Sequence, residues 1–345
     1  MTDHEGRWDE QLELGRRAFE EGDHEIAETA LIRALAEARQ LGEDDPRLAG
    51  TLDTLGMLYY AQERFAEAAP MLEEALRIFE KRLGPDHLTA AATANNLAQV
   101  YEEIGRTADA EALYQRALGI RQRLLGPEDP AVAATLNNLA VLYRRSERPL
   151  EAERIYQRSL ELWERSRGAD HPAYGRTLAN LAALYQSLGR LEEAEGRYTR
   201  ALSIAEAAFG PSHLEVAQVQ WGLASVLAAQ GKPEAESLYH RALLTRVKAH
   251  GPESAVVGRS LVGVGAYYAE LGRWKEAEPL IRKGASILEQ AAGSSTPEVR
   301  DAWSALLRLL EAQGKADDAE ELRLRIVESS GDRDFGAANS SGDPE

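Results

Sequence analysis

The chain has 345 residues, 44% apolar and 28% charged, a soluble and folding composition rather than a disordered one. Lys and Arg number 40 against 57 Asp and Glu, a formal net charge of −17 that argues against a general binder of nucleic-acid backbones or anionic membranes. With no Cys, disulfides, thiolate catalysis and thiolate metal sites are excluded, and no apolar run approaches the ~20 residues of a membrane span. The start, Met1-Thr2-Asp3-His4-Glu5, lacks the basic-then-apolar shape of a secretory signal, so a cytoplasmic location is expected.

Glycine sets the frame. Gly42, Gly84, Gly126, Gly168, Gly210, Gly251 and Gly293 recur at steps of 42, 42, 42, 42, 41 and 42. A second series, Gly22, Gly105, Gly189, Gly231, Gly272 and Gly314, lies half a repeat out of phase. Such a fixed period marks a tandem array. The expected units are 7–41, 46–83, 88–125, 130–167, 172–209, 214–250, 255–292 and 297–327, each a helix-turn-helix.

In chain order, the first helices carry Leu55, Gly56 and Tyr59, then Leu97, Ala98 and Tyr101, then Leu139, Ala140 and Tyr143, then Leu181, Ala182 and Tyr185. The second helices carry Ala110, Tyr114 and Ala117, then Ala152, Tyr156 and Ser159, then Ala194, Tyr198 and Ala201, then Ala235, Tyr239 and Ala242. Spacings of three and four put each set on one helix face, with small residues where helices approach closely. The last unit has Arg323 and Ile326 in place of Tyr and Ala, as suits an exposed end of an array. Residues 328–345 are Gly-, Ser- and Asp-rich and aperiodic, so a disordered tail is expected there.

Helix ends are also encoded. Three residues after each long-period Gly stands Asp45, His87, Asp129, His171, His213, Ser254 or Thr296, with Pro directly behind four of them. A slot shared by Asp, His, Ser and Thr is a helix N-cap rather than a metal or catalytic histidine site. No P-loop, dinucleotide or hydrolase motif appears, so no catalytic residue, metal or cofactor is expected.

The Leu-Gly/Ala-x-x-Tyr and Ala-x-x-x-Tyr-x-x-Ala patterns resemble the tetratricopeptide repeat. In its 42-residue form, with "GPDHLTAAATANNLAQVYEEIGR", the chain is similar to the repeats of kinesin light chains and their bacterial relatives. Kinesin light chains carry a heptad coiled coil before the repeats and this chain has none, so a motor subunit is not expected. The resemblance implies an all-α, right-handed superhelical solenoid of about eight units whose first helices line a concave groove.

On that register the groove residues are Asn95, Asn96, Gln99, Asn137, Asn138, Arg144, Arg145, Arg176, Asn180, Trp221 and Arg259. Asn96, Asn138 and Asn180 either clamp the backbone of an extended peptide or bond the neighbouring helix. Arg144, Arg145 and Arg176 sum to +3, whereas Glu102 and Glu103 make the preceding unit acidic. The expected function is a non-enzymatic interaction scaffold binding an extended, acidic segment of a partner protein. The alternatives are a structural module assembling through Trp221, Tyr60 and Tyr267, or a regulatory subunit of a signalling enzyme. The expected partner is a protein or linear peptide, and the chain is expected to be a monomer, with a homo-oligomer as the alternative.

Overall fold

The computed structural model describes residues 3–293 and 296–330, and among them every regular element is an α-helix. Residues 331–345, with most of the expected tail, lie outside the described residues. The chain divides into two compact units, residues 1–184 and 185–345.

The first unit holds α1 (Asp3–Glu21), α2 (His24–Gln40), α3 (Pro46–Ala61), α4 (Phe65–Leu83), α5 (Leu88–Glu103), α6 (Thr107–Leu125), α7 (Pro130–Arg145), α8 (Pro149–Arg167) and most of α9 (Pro172–Ser187). Helix α1 begins ahead of the start expected near Arg7. From α1 to α8 each helix packs on the next, and alternate ones touch, α3 on α5 and α5 on α7. The second unit holds α10 (Leu191–Phe209), α11 (Leu214–Ala229), α12 (Glu234–His250), α13 (Ala255–Glu270), α14 (Trp274–Ala292), α15 (Pro297–Ala312) and α16 (Ala316–Ser330), again packed in sequence.

Local chemistry places the helix starts. The side chains of Asp45 and Asp129 accept from the backbone N–H of Arg47 at 2.9 Å and Ala131 at 2.8 Å. His87, His171 and His213 do the same through Nδ1, from Thr89 at 3.1 Å, and from Ala173 and Glu215 at 3.2 Å. Each bond satisfies one of the donors that a helix start leaves without a partner. Thr296 departs from the pattern: its hydroxyl donates back to the Gly293 carbonyl and makes no cap bond.

Several of the turns inside a pair carry a cation over an aromatic ring. The Arg64, Arg106 and Arg148 guanidiniums lie 4.1, 3.8 and 4.0 Å from the ring centroids of Tyr59, Tyr101 and Tyr143. Each also meets a carboxylate of its own second helix and one of the preceding unit, as Arg148 does with Glu151 at 2.5 Å and Glu111 at 2.8 Å. The turn thus ties one repeat to the one before it. Most of these turns place a Gly at positive φ, such as Gly105 at 78°, whereas Glu147 adopts φ 57°, a conformation that costs an L-residue about 1–2 kcal/mol.

Candidate functional site

The first helices of residues 1–184 are joined by side-chain amides. Asn180 Nδ2 donates to Asn137 Oδ1 at 3.0 Å, Asn137 Nδ2 to Asn138 Oδ1 at 3.4 Å, and Asn138 Nδ2 to Asn95 Oδ1 at 3.3 Å. Nearer the amino end, Asn96 Nδ2 donates to both carboxylate oxygens of Asp53 at 3.3 Å. Gln99 turns back to the Asn95 carbonyl at 3.4 Å. Of the two roles open to these asparagines, the bond to the neighbouring helix is the one seen. Each amide nonetheless has two N–H groups and two lone pairs, and the half-buried Asn137, Asn138 and Asn180 keep capacity for a ligand.

Burial holds the Asp53 carboxyl above the usual carboxylate range, against the hydrogen bonds of Thr93 and Asn96 and the charge of Arg16. Asp53 begins the row, and sequence reasoning missed it. A carboxylate alone marks no site in so acidic a chain, and only the amide facing it gives it a place.

The three arginines expected to form a basic patch differ in state. Arg145 is bound to Glu103 at 2.6 Å and to Glu102 at 2.9 Å, so its charge is matched inside the face. Glu102 is driven up by burial, with Arg145 acting in the opposite direction. Arg144, by contrast, is half-buried, its Nε is enclosed without an acceptor, and among the described residues no carboxylate engages it. Arg176 is exposed on α9.

The two remaining groove residues, Trp221 on α11 and Arg259 on α13, meet in residues 185–345 at a cavity of about 520 Å³. Arg246 reaches the same cavity from the second helix α12, with its guanidinium 4.5 Å from the Trp221 ring centroid. Sequence reasoning restricted to first helices could not find it. Trp221 also packs edge-on against Tyr239 at 4.8 Å, and Tyr239 lies 5.3 Å from Tyr267. Tyr60 packs on Phe65 at 5.7 Å, and burial pushes its hydroxyl up to about 12. The aromatic residues considered for self-assembly therefore have internal partners.

Among the described residues, no group of three or more His, Asp and Glu is placed to hold a metal ion, and no helix is long and apolar enough to cross a membrane.

The tetratricopeptide repeat family profile matches residues 11–81, 47–123, 89–161, 131–207, 179–237 and 215–290. No curated protein matches the chain. A protein from Podosopora anserina, described as a kinesin light chain with nearly identical TPR-like repeats, is 25% identical, with 60% of this chain and 99% of that one covered and a TM-score of 0.50. The apo quorum sensor NprR from B. thuringiensis is 17% identical, over 95% of this chain and 98% of that one, with a TM-score of 0.68. A Rap protein complexed with Competence and Sporulation Factor is 16% identical over 95% and 98% of the two chains, with a TM-score of 0.62. At those identities the last two show a shared fold.

Proposed function

The chain belongs to the tetratricopeptide repeat family, and from that premise we propose that it is a non-catalytic interaction scaffold whose first-helix face in residues 1–184 holds an extended, acidic segment of a partner protein. The observation that carries this reading is Arg144. It stands half-buried on α7, the helix that carries Asn137 and Asn138, with no carboxylate on it among the described residues, in a chain of net charge −17. A carboxylate arriving there replaces the water lost from the guanidinium with charge-assisted hydrogen bonds. Asn137, Asn138 and Asn180 are already fixed by one another, so a peptide backbone bonds to them at little cost in side-chain freedom. The Rap protein of the same fold, solved with a bound factor, supports an occupied state of this kind. The internal packing of Trp221, Tyr267 and Tyr60 favours a monomer over self-assembly.

Panning a linear-peptide display library on the full chain tests the proposal. Enrichment of segments with Asp or Glu beside a large apolar residue is expected, and enrichment of neutral or basic segments would overturn it. For a selected peptide, Arg144→Glu with Arg176→Glu should weaken binding by tenfold or more, ~1.4 kcal/mol. The same reversal at Arg158 and Arg165, both exposed on α8, should leave binding within a factor of about two, ~0.4 kcal/mol.

A further inference from the structure

Helix α11 departs from the repeat in its core and at its end. Its seventh residue is Gln220, where the other first helices from α3 onward place Leu52, Ala94, Leu136, Leu178, Leu261 and Trp303, all buried. On α7 that position is set in apolar surroundings: Leu136 packs with Val132, Ala133, Leu162 and Trp163. Gln220 is 0% exposed, and its Oε1 and Nε2 are both enclosed without a hydrogen-bond partner among the described residues. A buried amide that bonds to nothing keeps the full cost of leaving water. Opening of the helix around it removes that cost, because the freed amide bonds to water.

The turn after α11 is weakened as well. In the turns before and after it, Arg190 lies 4.0 Å from the Tyr185 ring centroid and Arg273 lies 4.1 Å from that of Tyr268. After α11 the same places hold Lys232 and Leu227, so no cation lies over a ring there. Arg273 meets both Glu236 and Glu276, whereas among the described residues Lys232 meets Glu195 alone, at 2.6 Å. Gln230, in the same turn, has an enclosed Oε1 with no partner among the described residues. Helix α12 then runs 17 residues, against 19 for α10 and α14. Leu310 and Lys315 repeat the turn substitution after α15, but there Trp303 keeps the core position apolar. The two defects coincide at α11, which is seated chiefly by Trp221 packing edge-on against Tyr239 at 4.8 Å.

We propose that α11 and the turn after it form an opening point built into the array, where the chain unseats locally while the flanking helix pairs stay folded. In a tandem array each pair rests on its neighbours alone, so a cost confined to one pair lowers the free energy of opening there and not elsewhere. The position gives opening a consequence. Leu214, Gln218 and Trp221 stand on α11 and line the cavity of about 520 Å³ together with Arg246 of α12, so the cavity exists only while α11 is seated. An occupant of that cavity binds the closed form alone and therefore holds the opening point shut. Binding in residues 185–345 and local opening are thereby coupled, whatever segment residues 1–184 hold.

Hydrogen exchange of the full chain, read by mass spectrometry and corrected for intrinsic rates, tests this. Amides of residues 217–232 should exchange tenfold or more faster than their counterparts at 133–148, in α7 and its turn, a difference of ~1.4 kcal/mol. Gln220→Met keeps an unbranched side chain of the same length and removes both polar atoms. It should slow exchange across α11 at least tenfold and raise the urea midpoint. The same change at the exposed Gln218 on α11 should alter exchange less than twofold. Leu227→Tyr with Lys232→Arg rebuilds the ring and cation of the other turns and should slow exchange at 226–234 severalfold. Protection of α11 equal to that of α7 would overturn the opening point. So would Gln220→Met with unchanged or faster exchange, since the amide would then be bonded within the core. If Gln220→Met does not fold, the rebuilt turn decides: exchange left unchanged by that double variant sinks the proposal.

Discussion

Residues 1–184 and 185–345 close their turns alike. Arg148 in the first and Arg273 in the second each lie near 4 Å from a tyrosine ring, with a carboxylate on either side. Their first-helix faces differ. In the first unit an amide relay runs Asn180, Asn137, Asn138, Asn95. In the second the same positions carry Trp221 with Gly222 and Val262 with Gly263, and shape replaces hydrogen bonding. A Cβ added at Gly263 would sit 2.6 Å from the Trp221 ring, and one at Gly222 would sit 2.5 Å from the Tyr198 ring. The comparison shows that turns and caps fix the repeat, and that the face between them is free to be polar or interlocked. A partner would therefore find hydrogen-bonding groups on one unit and a charged cavity beside packed rings on the other.

The sharpest way to break the interlocked unit lies at the α13–α14 crossing. A Cβ on Gly284 would come 2.6 Å from the Gly258 carbonyl and 3.0 Å from the Val262 backbone nitrogen, neither of which can swing aside. Gly284→Leu should cost about 3 kcal/mol through overpacking, read as a lower urea midpoint. Hydrogen exchange should show protection lost first in residues 185–345. An unchanged midpoint would mean that the two helices are not in close contact there.

The polar unit should yield to a smaller change. Asn138→Ala removes the donor to Asn95 Oδ1 and the acceptor for Asn137. Asn95 is 7% exposed, so its oxygen is left without a partner and without free access to water. A loss of about 1–2 kcal/mol is expected from chemical denaturation. Combined with Asn180→Ala the losses should not add, because both residues act on Asn137. Strict additivity would show that the asparagines bond separately and form no relay.

Much of the frame was legible in the sequence because its causes are local. A cap needs an acceptor within three residues of the N–H it serves, and so Asp45, His87, Asp129, His171 and His213 announced their helices. Thr296 filled the same slot without making the bond, since a slot states what can be bonded and not what is. Asn95, Asn137, Asn138 and Asn180 were visible as positions, but their bonds run from one repeat to one residue earlier in the previous repeat. That offset depends on how successive units stack. The pairing of Arg145 with Glu102 and Glu103 has the same origin, and it takes one charge out of the expected patch. Arg246 was missed because it approaches the first-helix face from a second helix.

The smallest expected effect separates the two units by the sign of a pH dependence. Asp53 begins the amide row, half-buried, and burial raises its folded pKa above the unfolded value. A carboxyl shifted in that direction destabilises the fold above its folded pKa, and the cost disappears as pH falls below the unfolded pKa. Asp53→Asn keeps an acceptor for Asn96 and removes the charge, so it should raise stability at neutral pH by up to about 1 kcal/mol. The gain should close as pH falls through the carboxylate range. Glu236 in the second unit is the opposite case. The hydrogen bonds of Arg273 and Tyr268 lower its folded pKa, so its contribution is present above the unfolded value and is lost as pH falls through the folded one. Glu236→Gln should therefore lower stability at neutral pH and converge with the wild type in acid. Melting curves of both variants against pH would show two differences of opposite sign, each shrinking toward low pH. Differences of the same sign would mean that the charge of Arg16 outweighs burial at Asp53, and that the first-helix face of residues 1–184 is held by attraction between charges.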